Sequence, residues 1–420
     1  MRAVALLLLV GAFQDAELRK EFDSRRAALK ECREAGPWSE LGRWALEKEL
    51  TEQARTAFQE ALKIDPSHAE AREGMRRLGW EEEGGKWLPF AKIFAARKAK
   101  VKPGDKAALL ALAAWCGARE MAKERRQCLD AALKIDPDDA AANEALGRRL
   151  HEGRWIEAEE FEREVKVEGI LRAGLGTKSA AELAEEIRKA AGGWKGDLAA
   201  IVERAKSPGP GTYKDQKLEV ERDKYPGVYH YGIPDDYAPW RRSPMIVFLH
   251  GSGGNTYFPT ISKWTLKRGF IVVCPSSLHL GTLAWSNGQH VGYIRALVKE
   301  MQGRYAVDAS RIYLWGHSMG GYGTFFIGTR TTDLFAAISP MSGGPSGWKP
   351  EALKSTPIRI WHGAADAQVT PDGSRAAARW LKERGFPHIY EEVPGQGHDM
   401  TAQCLGEIPE WFLKQRLAVR

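Results

Sequence analysis

A serine hydroxyl becomes a useful nucleophile only when a base takes its proton and an acid orients that base. Three residues of this chain can stand in that relation: Ser318 in Gly316-His317-Ser318-Met319-Gly320-Gly321, Asp366 in His362-Gly363-Ala364-Ala365-Asp366, and His398 in Pro394-Gly395-Gln396-Gly397-His398. The Ser318–Asp366 gap is 48 residues and the Asp366–His398 gap is 32, each suited to a strand–helix step without a large insertion. Ser318 follows the strand-like Ile312–Trp315 and precedes Tyr322–Gly328, which reads as a helix packed through small residues. Strand, G-x-S-x-G, helix is the context of a sharp turn that exposes the serine, and bulky residues beside it would clash. A second glycine-rich stretch, His250-Gly251-Ser252-Gly253-Gly254, follows the apolar Met245–Leu249. The backbone N–H groups of Ser252 and Met319 are the expected oxyanion donors, each worth about 3 kcal/mol of transition-state stabilisation.

Other residues compete for these roles. Asp372 is the rival acid to Asp366, and Asp399 directly follows His398 so that it is expected to face elsewhere. His250 and His362 each end a strand before a glycine and are expected to brace loops. His317 lies inside the turn, with its ring expected to point away from the Ser318 hydroxyl. His279 and His290 lie in the segment after Cys274-Pro275 and, together with the loop residues Trp285 and Trp348, are candidates to border the substrate. No H-e-x-x-H pattern and no clustered carboxylate set occurs, so neither a catalytic metal nor another cofactor is expected.

The elements that must position these groups lie in the second half of the chain. Ser207-Pro208-Gly209-Pro210-Gly211 breaks any regular element, and the texture changes there from Ala-, Glu- and Leu-rich helical spacing to short β-branched runs. The expected organisation is a helical domain over 13–206, a linker at 207–211 and a mostly parallel α/β domain over 212–420.

The helical half is internally duplicated. Ala61-Leu62-Lys63-Ile64-Asp65-Pro66 recurs as Ala132–Pro137, 71 residues later, and Gly85-Lys86-Trp87 recurs as Gly153-Arg154-Trp155 after 68. Trp38, Leu41, Gly42, Ala54, Phe58, Ala61 and Pro66 resemble a tetratricopeptide repeat. Leu109, Leu112, Ala132 and Pro137 fit it in the second copy, where Arg125 and Leu129 replace its Ala and Phe. The resemblance implies antiparallel helix pairs over about 35–68 and 106–139. Leu78–Trp87 and Leu146–Trp155 read as helix ends running into a glycine turn, and Lys178–Ala205 as two further helices. Such a module implies a protein partner, or a structural appendage to the other half.

Taken together, the four motifs of the second half resemble the α/β-hydrolase family over about 213–420. Asp308–Gly344 is similar to secreted esterases related to feruloyl esterases and polyhydroxybutyrate depolymerases, and to prolyl-oligopeptidase-like predicted peptidases. The resemblance implies two-step acyl transfer by Ser318, His398 and Asp366. Activity would fall at acid pH, where an imidazole protonates and stops acting as a base. The 47 residues between Ser318 and Asp366 leave no room for a large lid. The expected substrate is a bulky or polysaccharide-linked acyl or aryl ester. Peptide hydrolysis is the alternative, and a non-catalytic scaffold acting through the helical repeats is a third reading.

The chain has 420 residues, 43% of them hydrophobic and 28% charged, a globular balance. The net charge is +7, most of it after residue 210, where 24 Lys and Arg face 18 Asp and Glu. No basic block stands out, so nucleic-acid binding is not expected. Met1–Ala12, with Arg2, the apolar Ala3–Val10 and the small pair Gly11-Ala12, reads as a signal peptide, and the chain is expected to be secreted or periplasmic. No run is long enough to span a bilayer. The five cysteines contain no C-x-x-C pair, which argues against a zinc ribbon; one disulfide, Cys116–Cys128, is compatible with export.

Overall fold

The computed structural model describes residues 2–218, 227–278 and 284–417, with the backbone alone for 2–14. The chain divides into two compact units: Met1–Leu150 with Arg154–Ala158, and His151–Gly153 with Glu159–Arg420.

The first unit is built mainly of helices that pair in sequence order. Ala35–Glu47 packs on Thr51–Ile64, and Lys106–Gly117 on Ala122–Ile135, as the repeated small and apolar positions require. Gly42 and Gly74 lie so close to the Phe58 ring that a Cβ at either would collide with it. Phe58, Ala54 and Ala61 are buried in one core with Trp38 and Leu41. The segments read as helix ends instead form two-stranded antiparallel hairpins, Trp80–Glu83 with Lys86–Pro89 and Arg149–His151 with Arg154–Ile156. Gly84 and Gly85 take positive φ of 61° and 75°, the conformation a tight two-residue hairpin turn demands.

The second unit carries an eight-stranded sheet. Its strands in chain order are β1 (Gly211–Leu218), β2 (Gly227–Ile233), β3 (Ser243–Leu249), β4 (Ile271–Pro275), β5 (Val307–His317), β6 (Ala337–Met341), β7 (Ile358–Gly363) and β8 (His388–Val393). The spatial order is β8-β7-β6-β5-β3-β4-β2-β1; β2 runs antiparallel to both its neighbours, β1 and β4, and the other pairs are parallel. β3, β4, β6 and β7 are buried along their whole length, so they read as continuous apolar runs. One core packs Leu249, Leu314, Ile338 and Ile360 beneath the helices Gly288–Arg304, Met319–Gly328 and Asp372–Glu383. The other packs Phe248, Trp315, Trp361 and Phe412 with Phe258–Thr265 and Ala402–Leu413.

The helices Ala158–Gly174, Ala180–Ala190 and Leu198–Arg204 belong to this second unit from Glu159 onward. Val167, Leu171, Ile187 and Ile201 form a small core against which Trp240 packs. The division between compact units therefore falls some fifty residues ahead of the Pro/Gly segment 207–211. A Pro/Gly break interrupts regular structure, but apolar contact decides which unit a segment joins. Among the described residues no helix is long and apolar enough to cross a membrane. Cys116 and Cys128 are buried free thiols that contact each other, and burial raises Cys116 to about 11.

Candidate active site

β5 runs straight into the helix Met319–Gly328, and Ser318 sits at the junction with φ 58° and ψ −119°. That left-handed backbone is strained for a residue with a side chain and is held by its surroundings. The Ser318 N–H donates to the Met341 carbonyl at 2.9 Å, and the Tyr322 N–H to the Ser318 carbonyl at 3.2 Å. The flanking glycines are required by packing. A Cβ on Gly316 would strike the Gly320 carbonyl, one on Gly320 the Leu249 carbonyl, and one on Gly321 the Met341 carbonyl.

The other two residues come from the ends of β7 and β8, neighbours in the sheet. The His398 Nε2 lies 2.9 Å from the Ser318 Oγ, and its Nδ1 lies 2.7 Å from the Asp366 Oδ2. Asp366 Oδ1 accepts the N–H groups of Gln368 at 3.0 Å and Val369 at 2.9 Å. Asp366 is only 4% exposed. Burial pushes its pKa up, but the Val369 amide and His398, with the Gln368 amide, outweigh it and leave Asp366 below the usual carboxylate range. An ionised Asp366 holds a proton on His398 Nδ1, so Nε2 is free to accept one from Ser318.

The loop that follows β3 packs against the Ser318 turn: a Cβ on Gly251 would lie 3.3 Å from the Ser318 Cβ. Met319 is the first residue of its helix, so its N–H has no partner within the helix. Neither the Ser252 nor the Met319 N–H has a hydrogen-bond acceptor among the described residues.

None of the competing residues replaces one of the three, although His362 Nε2 lies 3.4 Å from Asp366 Oδ2. Asp372 is exposed and paired with Arg375. Asp399 is exposed, and its backbone carbonyl accepts from the Gln396 side chain. His362 is fully buried, donating from Nε2 to the Val369 carbonyl at 2.8 Å with Nδ1 at Ser374 Oγ. His250 donates from Nδ1 to the Gly251 carbonyl and accepts the Ser277 N–H at Nε2, 3.1 Å away. His290 accepts the Leu278 N–H at 3.0 Å. His279 lies outside the described residues.

Trp285 does not frame an open site. It is fully buried, its Nε1 donates to the His250 carbonyl, and its ring lies 5.2 Å from that of His250 and 4.9 Å from that of His290. The segment that carries it folds inward because the close helix position Gly323 leaves space for its side chain. Trp348 is half-buried, and its ring contacts are Phe325 and Trp380, in the apolar core. Trp285 is therefore out of a substrate's reach in this arrangement, whereas Trp348 keeps part of its surface exposed. Three contacts were not legible in sequence: the Gln368 and Val369 amides on Asp366, and His317, whose Nε2 lies 2.7 Å from the His398 carbonyl. Only their nearness in sequence to Asp366 and Ser318 marks them.

The second unit has the α/β-hydrolase fold, and at its strand ends a serine, a histidine and an aspartate lie in hydrogen-bond contact. Residues 246–413 match the family model described as the alpha/beta hydrolase family. The chain is 29% identical over 164 residues to the bifunctional acetylxylan esterase/xylanase XynS20E of Neocallimastix patriciarum, covering 37% of this chain and 23% of that protein. It is 31% identical over 153 residues to feruloyl esterase C of Emericella nidulans, covering 34% of this chain and 56% of that one. A probable feruloyl esterase C of Aspergillus flavus is 27% identical over 190 residues, 42% of this chain and 68% of that protein. The chain thus spans about a quarter and about half the length of the first two relatives.

Proposed function

We propose that this chain is a serine esterase that hydrolyses carboxylic esters through an acyl-enzyme, with Ser318 as nucleophile, His398 as general base and acid, and Asp366 as the group that orients His398. The observation that carries the reading is the continuous chain from Ser318 Oγ through both nitrogens of His398 to Asp366, at 2.9 and 2.7 Å. His398 takes the Ser318 proton as the hydroxyl attacks the ester carbonyl. The N–H groups of Ser252 and Met319 receive the negative charge that develops on the carbonyl oxygen. His398 then gives its proton to the leaving alcohol. Water repeats the sequence on the acyl-enzyme and releases the acid.

The substrate class we assign is an acyl or aryl ester borne on a bulky or polymeric alcohol, in keeping with relatives named as feruloyl and acetylxylan esterases. Residues 1–12 act as an export signal in this reading, which suits a polymeric substrate outside the cell. The helical unit serves to bind a partner or to present substrate. The test is hydrolysis of p-nitrophenyl acetate by the wild type and Ser318→Ala, followed by feruloyl and acetyl esters of xylan. Activity abolished by Ser318→Ala is expected. Equal background rates in two folded proteins would overturn the esterase reading and leave the scaffold.

A further inference from the structure

We propose that His317 is a positioning residue for the base, a neutral imidazole that fixes the His398 peptide by donating a hydrogen bond to its carbonyl. The proposal rests on the esterase reading above. A carbonyl oxygen only accepts, so the 2.7 Å contact places the proton on His317 Nε2. Nδ1 is then a bare lone pair, and it is buried with no hydrogen-bond partner among the described residues.

The contact matters because of where it acts. His398 directly follows the loop Pro394–Gly397, in which Gly395 has φ 71° and a Cβ on Gly397 would meet nothing. The loop's upstream part is tied down by Ala365 N–H to the Gln396 carbonyl at 2.9 Å and by Ala364 N–H to the Val393 carbonyl at 2.9 Å. Beyond Gln396 the backbone reaches His398 through a glycine, and the His317 ring takes over the bracing. Ser318 is the next residue to His317, so one short rigid segment carries the nucleophile and grips the base.

The surroundings keep His317 neutral. It is 2% exposed. Its ring lies 4.8 Å from that of His398 and 5.5 Å from that of Tyr257, and Asp366 and Asp399 are the carboxylates that face it. Burial lowers it to about 4, against the opposing pull of the His398 carbonyl. A charged ring at this place would repel the imidazolium that His398 must become during each turnover, so a neutral donor is the form the reaction needs.

The experiment compares the wild type with Ser318→Ala, His317→Gln, His317→Asn and His317→Leu on p-nitrophenyl acetate, with thermal melts to establish folding. Gln can carry an N–H to the same carbonyl; Asn falls short of it and Leu has no donor. The expected result is a kcat loss of about 10–100-fold for Asn and Leu, as for displacement of a catalytic group by up to an ångström, with KM within about twofold. His317→Gln is expected to recover most of that loss. Wild-type kcat in the Asn or Leu variant, or a Gln variant as impaired as both, would overturn the bracing role. A wild type whose rate Ser318→Ala shares would overturn the esterase reading, and this inference with it.

Discussion

Replacing Asp366 by Asn keeps the shape of the side chain and changes one thing, the donor and acceptor pattern around it. Asp366 Oδ1 accepts two backbone N–H groups, from Gln368 and Val369, which can only donate. The Asn carbonyl oxygen must therefore stay on that side, because turning the amide would set its NH2 group against two donors. The NH2 group then faces His398 Nδ1, formerly 2.7 Å from Oδ2. An imidazole facing a donor presents a lone pair, so the His398 proton moves to Nε2, toward Ser318 Oγ at 2.9 Å. In that tautomer Nε2 cannot accept the serine proton. The expected loss in kcat is about 10⁴-fold, or about 5.5 kcal/mol of transition-state stabilisation. KM should change little, and the fold should persist because the two backbone bonds survive. The assay is steady-state hydrolysis of p-nitrophenyl acetate beside a melt of the same preparation. A folded Asp366→Asn protein losing less than about tenfold would refute the argument that Asp366 sets the His398 tautomer.

Further outcomes follow from particular contacts. Gly320→Ala places a methyl group against the Leu249 carbonyl, backbone on side chain with nowhere to move; the expected result is an insoluble protein or a melting temperature lowered by several degrees, measured against Gly254→Ala, whose site is open but carries φ 70°. His317 is lowered to about 4, and His250 and His362 are lowered too, burial being the first cause in each. Their folded pKa values lie below the unfolded value of about 6.5, so the unfolded state binds more protons between the two. Stability should fall as pH drops through about 6.5, levelling for His317 below about 4. Asp366, also depressed, adds stability above its unfolded pKa that is lost as pH falls through its folded one. A melting temperature unchanged from pH 7 to pH 4 would contradict this. Of the five cysteines, Cys116, Cys128, Cys274 and Cys404 are buried and Cys32 is half-buried. A thiol reagent should titrate about one group in the native protein and all five after denaturation; fast reaction of several native thiols would show that the helix pairs open.

What the sequence by itself determined was local chemistry and order. The small residues around Ser318 admit only a sharp strand–helix turn, and the apolar runs Met245–Leu249 and Ile358–Trp361 read as buried parallel strands because no polar face interrupts them. The spacing and order of Ser318, Asp366 and His398 marked three groups able to work together. The repeat of Ala61–Pro66 at Ala132–Pro137 marked paired helices, since helical spacing is a property of neighbouring residues.

What only the tertiary structure decided depends on groups far apart in the chain. Trp285 in a loop looked available to substrate, yet it is buried because Gly323, 38 residues later, leaves it a pocket. Gly84-Gly85 turned out to close a hairpin, a pairing that periodicity over so few residues does not reveal. The helices over 158–204 joined the second unit through the core beside Trp240, while the Pro/Gly break suggested a boundary after them. The grip of His317 on His398 spans 81 residues. A backbone carbonyl has no signature in the sequence, so that contact exists only once β5 and the end of β8 are laid in the same sheet.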